Sequence, residues 1–122
     1  MTFTWQRRYA LLAGVAALTV PGAALAHAIL IESTPALGGT IPAGTRSLHL
    51  RYNSRIDRAR SRLTLTRPDK TQAVLPIDPA GADDVLMATV DLTPGAYVLR
   101  WQVLAIDGHI TRGDVPFVVT GP

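Results

Sequence analysis

The 122-residue chain has no cysteine, so no disulfide braces its fold and no thiolate is available to a metal ion. Methionine is almost as scarce. Of Met1 and Met87, only Met87 lies beyond the N-terminal segment, which leaves a soft-metal site a single thioether. Charge excess is missing too: the formal net charge of +3 includes Arg7 and Arg8, and without them 10 basic residues stand against 9 acidic ones. Nothing in that balance points to nucleic acid. No helical period appears after residue 26, and the one long uncharged run, Ala10 to Val20, is too short for a membrane span, which needs roughly 20 apolar residues.

What the chain does contain begins with that run. Arg7 and Arg8 precede it, Pro21 and Gly22 break it, and small residues follow at Ala24 and Ala26, the pattern of a secretory signal peptide over residues 1–26 cleaved after Ala26. Gln6 and Ala10 flank the arginine pair poorly for twin-arginine export, so the general secretory route fits better. An uncleaved membrane anchor is the alternative, disfavoured by the length of the run and by its Ala-x-Ala ending. Cleavage leaves 96 of the 122 residues, one small domain with a single core.

Residues 27–122 alternate in the manner of strands, punctuated by glycine and proline. Seven short strands are expected: Ala28 to Glu32, Arg46 to Tyr52, Arg62 to Arg67, Gln72 to Leu75, Val85 to Val90, Ala96 to Leu104 and Val115 to Thr120. Pro35 to Gly44 reads as a turn-rich stretch and Arg67-Pro68-Asp69-Lys70 as a tight turn. Strands at this spacing indicate an all-β, immunoglobulin-like sandwich or small barrel. Leu92-Thr93-Pro94-Gly95-Ala96-Tyr97 has the form of a tyrosine corner, and Trp101 shares a strand face with Tyr97 and Leu99, which places it in the core.

The proposed cleavage makes His27 the first residue, able to offer both a free amine and an imidazole to one metal ion. Asp107 and His109, spaced i and i+2, project to one side of an extended chain while Gly108 lets the backbone turn between them, and a first strand pairing nearby brings His27 to the same place. Amine nitrogen, two imidazoles and a carboxylate suit Cu(II), which prefers nitrogen and oxygen donors in a tetragonal plane and tops the affinity order. Zinc competes only where copper is scarce. An Asp-Gly-His triplet alone is more often a solvated turn; it is the combination with His27 that points to metal. His49, between Leu48 and Leu50, is the internal control and is expected on the surface.

Several of these pieces occur together in one family. His27-Ala28, Glu32-Ser33-Thr34-Pro35-Ala36-Leu37-Gly38, Pro42 before Leu48-His49-Leu50-Arg51-Tyr52, Leu92 to Tyr97, Trp101, Asp107-Gly108-His109 and Gly113-Asp114-Val115-Pro116-Phe117 stand in the order found in the CopC family of periplasmic copper-binding proteins, which the chain resembles along nearly all of 27–122. The resemblance implies a Greek-key β-barrel related to immunoglobulin domains. It also implies Cu(II) bound by the amine and ring of His27 with Asp107 and His109, a periplasmic location, a monomeric state, and a role in copper homeostasis or resistance. Copper is then sequestered or passed to an inner-membrane copper transport protein of the CopD type, and no catalytic turnover is required.

Two departures stand out. The methionine-rich loop that gives some members a Cu(I) site is missing, and the family's Phe-Ser-Glu-like segment reads Tyr52-Asn53-Ser54, with Asn53 as a candidate hydrogen-bonding replacement. Arg55, Arg58, Arg60, Arg62 and Arg67, interrupted by Asp57, read as a solvated loop with a charged strand edge rather than as a site for an anionic partner or a membrane face. Asp78, Asp83 and Asp84 read as a solvated loop rather than a calcium site. Two rival functions remain: a copper enzyme with a histidine-brace site, which predicts oxygen-dependent peroxide production with reductant, and a metal-free immunoglobulin-like interaction module.

Overall fold

A computed structural model describes residues 27–121; the expected signal peptide, residues 1–26, lies outside them. Among the described residues eight strands form: β1 Leu30–Thr34, β2 Gly39–Pro42, β3 Gly44–Tyr52, β4 Ile56–Thr66, β5 Gln72–Leu75, β6 Val85–Leu92, β7 Gly95–Ala105 and β8 Ile110–Thr120. The two-residue side-chain period decides which face each strand buries. On β3 Leu48, Leu50 and Tyr52 turn inward while Ser47, His49 and Arg51 face solvent, and on β7 Tyr97, Leu99, Trp101, Val103 and Ala105 turn inward.

The strands make a three-stranded sheet, β1-β3-β6, and a five-stranded sheet, β2-β8-β7-β4-β5. All pairings are antiparallel except β2 with β8. The two sheets bury their inner faces against each other as an immunoglobulin-like Greek-key sandwich. No polar or charged residue is buried among the described residues. His49 is exposed, as its strand position requires.

The eighth strand, β2, lies inside the stretch that reads as turn. Four residues containing a glycine and a proline show no alternation; the strand exists because the chain crosses from one sheet to the other and meets β8, pairing Thr40 with Val118 and Ile41 with Val119. Pro42 ends it, where the missing N–H costs least. A second difference concerns Arg58 and Arg60 of the arginine run, which lie in strand rather than loop, while Arg55 and Arg67 flank the strand. β4 begins at Ile56, not Arg62, and its register on β7 shifts between Asp57 and Arg62, a bulge that hides the alternation. Arg58 folds over the loop carrying Asp78, Asp83 and Asp84 and donates to the carbonyls of Pro79 at 2.9 Å and Ala82 at 2.6 Å.

Local signals hold where the physics is local. The Tyr97 hydroxyl donates to the Thr93 carbonyl at 2.8 Å and accepts the Thr93 N–H at 3.2 Å, closing the tyrosine corner. Lys70 N–H bonds the Arg67 carbonyl at 2.9 Å across the expected tight turn. Trp101 packs edge-on against Tyr52, ring centres 5.3 Å apart, and its indole covers Gly113 on β8 so closely that any β-carbon there would overlap it.

Candidate metal centre

The β7–β8 hairpin closes at one end of the sandwich. Gly108 N–H donates to the Ala105 carbonyl at 3.0 Å and Ala105 N–H to the His109 carbonyl at 2.8 Å, a tight turn that places Gly108 at φ +89°, where glycine is favoured. Asp107 and His109 do come together, but through this turn rather than through an extended pleat. One Asp107 oxygen, Oδ1, accepts the His109 backbone N–H at 3.1 Å, and the other, Oδ2, lies 3.1 Å from His109 Nδ1.

His27 reaches the same place. Its ring stands edge-on to that of His109 with centres 4.7 Å apart. Three ties from distant parts of the chain set this approach. Asn53, just past β3, accepts the Ile29 N–H on Oδ1 at 2.7 Å and donates its own N–H to the Ile29 carbonyl at 3.0 Å; Thr111 on β8 donates to the Ala28 carbonyl at 2.8 Å. Between them the Ala28 methyl is buried in the core. Asn53 therefore does hydrogen-bond at this end, and its partner is the backbone leading to His27. Thr111 is the residue sequence reasoning missed; adjacency to the His109 loop is its only signal.

The electrostatics agree with this geometry. The Asp107 carboxyl is held below its ordinary pKa, first by the His109 backbone N–H; desolvation is the next effect and opposes it, and the His109 side chain and the charges of His109 and His27 add to the lowering. His27, Asp107 and His109 are all exposed. Among the described residues no group of three or more histidine, cysteine or acidic side chains is placed to hold a metal ion. The cluster is instead a carboxylate–imidazole pair with a second imidazole beside it.

The Asp107–His109 spacing lets one ion take both donors. Two donors bound about 2 Å from a metal are about 2.8 Å apart at a right angle and about 3.3 Å apart at a tetrahedral angle. Nδ1 and Oδ2 at 3.1 Å lie between these separations, so a cation replacing the proton between them gains both donors with little movement.

These features define an immunoglobulin-like sandwich that presents nitrogen and oxygen donors at one exposed end. The CopC domain model matches residues 30–120, and the chain belongs to the CopC family. His27 lies just ahead of the matched stretch. Protein YobA of Escherichia coli K12 is 28% identical over 116 residues, covering 92% of this chain and 93% of that protein, and YobA of Shigella flexneri matches equally. Among solved structures, CopC from Methylosinus trichosporium OB3b superposes with a TM-score of 0.71 at 22% identity, over 78% of this chain and 95% of that one. PcoC, a methionine-rich copper resistance protein from Escherichia coli, gives 0.60 at 18% identity, over 77% and 99%. At such identities these two establish the fold.

Proposed function

We propose that the chain is exported, cleaved after Ala26, and binds Cu(II) in the periplasm through the amine and ring of His27 with Asp107 and His109. It holds copper for homeostasis or resistance, as a monomer, and yields it to an inner-membrane transport protein of the CopD type. The supporting observation is the approach of the His27 ring to that of His109, centres 4.7 Å apart, where His109 Nδ1 already lies 3.1 Å from the Asp107 carboxylate. PcoC is a copper resistance protein of the same fold. Its methionine richness has no counterpart here, where Met87 stands alone beyond residue 26, and that favours the oxidised ion with nitrogen and oxygen donors.

Each of the chain's donors has one task. The His27 amine and ring close a chelate, which lowers the entropy cost of assembling ligands. Asp107 and His109 supply a neighbouring pair pre-set by the hairpin, and all of the nitrogens must shed protons before they bind, so copper is released on acidification. This function involves no catalysis.

The test is mass spectrometry of the exported protein's first residue, followed by copper titration read by electron paramagnetic resonance. A first residue of His27 and a one-to-one tetragonal Cu(II) spectrum with several nitrogen donors are expected. A form retaining Ala26, whose His27 nitrogen is an amide, should bind far more weakly. A different first residue, or equal binding by both forms, overturns the reading.

A further inference from the structure

The copper reading leaves the arginines of the five-stranded sheet without a role. Strand register sorts them. Across β4, β7 and β8 one outward row is Arg62, Gln102 and Arg112, and the next is Thr64, Arg100 and Asp114. Arg100 is paired with Asp114 at 2.9 Å. Arg112 meets only the neutral Gln102, at 2.8 Å, and Arg62 has no carboxylate partner among the described residues. In the bulge beside them the exposed Arg60 has its own carboxylate partner, Asp57, at 3.8 Å, which leaves Arg62 and Arg112 as the unpaired guanidinium groups of these rows. The outward side of the three-stranded sheet differs: its exposed Arg51 is neutralised by Glu32 at 2.9 Å, and Asp91 adds a further negative charge. A chain with almost balanced charge thus has one sheet face with uncompensated guanidinium groups.

We propose that this outward face of the five-stranded sheet, centred on Arg62 and Arg112, adsorbs the protein to an anionic phospholipid surface. Guanidinium groups pair bidentately with phosphate, and basic side chains near an anionic leaflet add attraction that is cumulative and screened by salt. From β4 to β8 the two arginine-bearing rows carry no aromatic or aliphatic side chain, the exposed Val74 lying at the edge on β5, whereas a specific protein interface is anchored by such groups at its centre; a charged lipid plane needs no anchor. The Arg62–Arg112 row lies two residues along β7 and β8 from the Leu104–Ile110 pair that leads into the Asp107–His109 turn. Adsorption therefore holds the metal-binding end at the membrane surface, where a cargo ion would be exchanged. The proposal does not depend on the copper reading and is tested without copper.

The experiment is co-sedimentation of the exported, processed protein with vesicles of phosphatidylglycerol mixed into phosphatidylcholine, and with phosphatidylcholine alone. Binding to the anionic vesicles only, weakening as salt rises, is expected. The Arg62→Gln, Arg112→Gln double variant should bind about twenty-five-fold more weakly, about fivefold per arginine, while Arg51→Gln on the opposite face binds as the parent does. Circular dichroism confirms that each variant is folded. Equal binding to both vesicles, no binding to anionic vesicles at low salt, or binding indifferent to the double substitution overturns the proposal. Retention on immobilised polyglutamate without vesicle binding overturns it as well and assigns the face to an acidic protein.

Discussion

Asn53 grips Ile29 on both of its backbone polar groups, accepting its N–H at 2.7 Å and donating to its carbonyl at 3.0 Å. Two residues upstream of that grip is His27. Asn53 touches no donor of the proposed site, so its substitution acts by loosening the segment that delivers His27. Asn53→Ala is expected to lower copper affinity about tenfold, in the range of outer-shell changes, while hydrogen exchange at the Ile29 amide accelerates. Unchanged affinity together with faster exchange would show that His27 finds its place without the clamp.

The three histidines divide by position. His27 and His109 stand together at the hairpin end, whereas His49 lies on the outward face of β3 opposite Met87. His27→Ala and His109→Ala should each weaken copper binding by more than the roughly 10–100-fold cost of an outer-shell change. His49→Ala should leave the affinity within error, measured by competition with a chelator of known strength. Equal losses at all three positions would refute the ligand assignment.

Asp107 ties the stability of the metal-free protein to pH. Its folded pKa is depressed, so it stabilises the fold fully above the ordinary carboxylate value of about 3.9 and loses that contribution as pH falls through the lower folded value. The side chain is exposed, which keeps the effect small. Urea unfolding of the parent and of Asp107→Asn at pH 7 and at about pH 3 should show a gap that narrows on acidification. A gap that widened there would reverse the sign.

What was legible in the sequence follows the range of the interactions involved. The tyrosine corner joins residues four apart and the Arg67–Lys70 turn joins residues three apart; both carry short-range residue signatures, and both form. β2 owes its existence to a parallel partner at the far end of the chain, and Gly39 to Pro42 carry no trace of it. The β4 bulge conceals strand beneath an arginine run because one slip in register breaks the alternation a reader relies on. Asp107 and His109 are visible as a pair through nearness and Gly108 as the point where the chain turns, but the hydrogen bonds to Ala105 that close the turn carry no local signature. The approach of His27 depends on Asn53 and Thr111, one residue beyond β3 and one on β8, and an isolated asparagine or threonine carries no local mark of such a task.

The two buried tyrosines make the last prediction. Tyr97 and Tyr52 both face the core, but the Tyr97 hydroxyl exchanges hydrogen bonds with Thr93, and the Tyr52 hydroxyl, buried beside Trp101, has no partner among the described residues. Burial alone drives the Tyr52 pKa far above that of a free phenol, so the group stays neutral throughout. Removing a satisfied buried hydroxyl costs about 1 kcal/mol, whereas removing an unsatisfied one relieves desolvation. Tyr97→Phe should therefore lower unfolding stability by about that amount, and Tyr52→Phe should leave it unchanged or raise it. Denaturant titration of both variants decides the matter: a loss at Tyr52 as large as that at Tyr97 would mean that the Tyr52 hydroxyl has a stabilising partner after all.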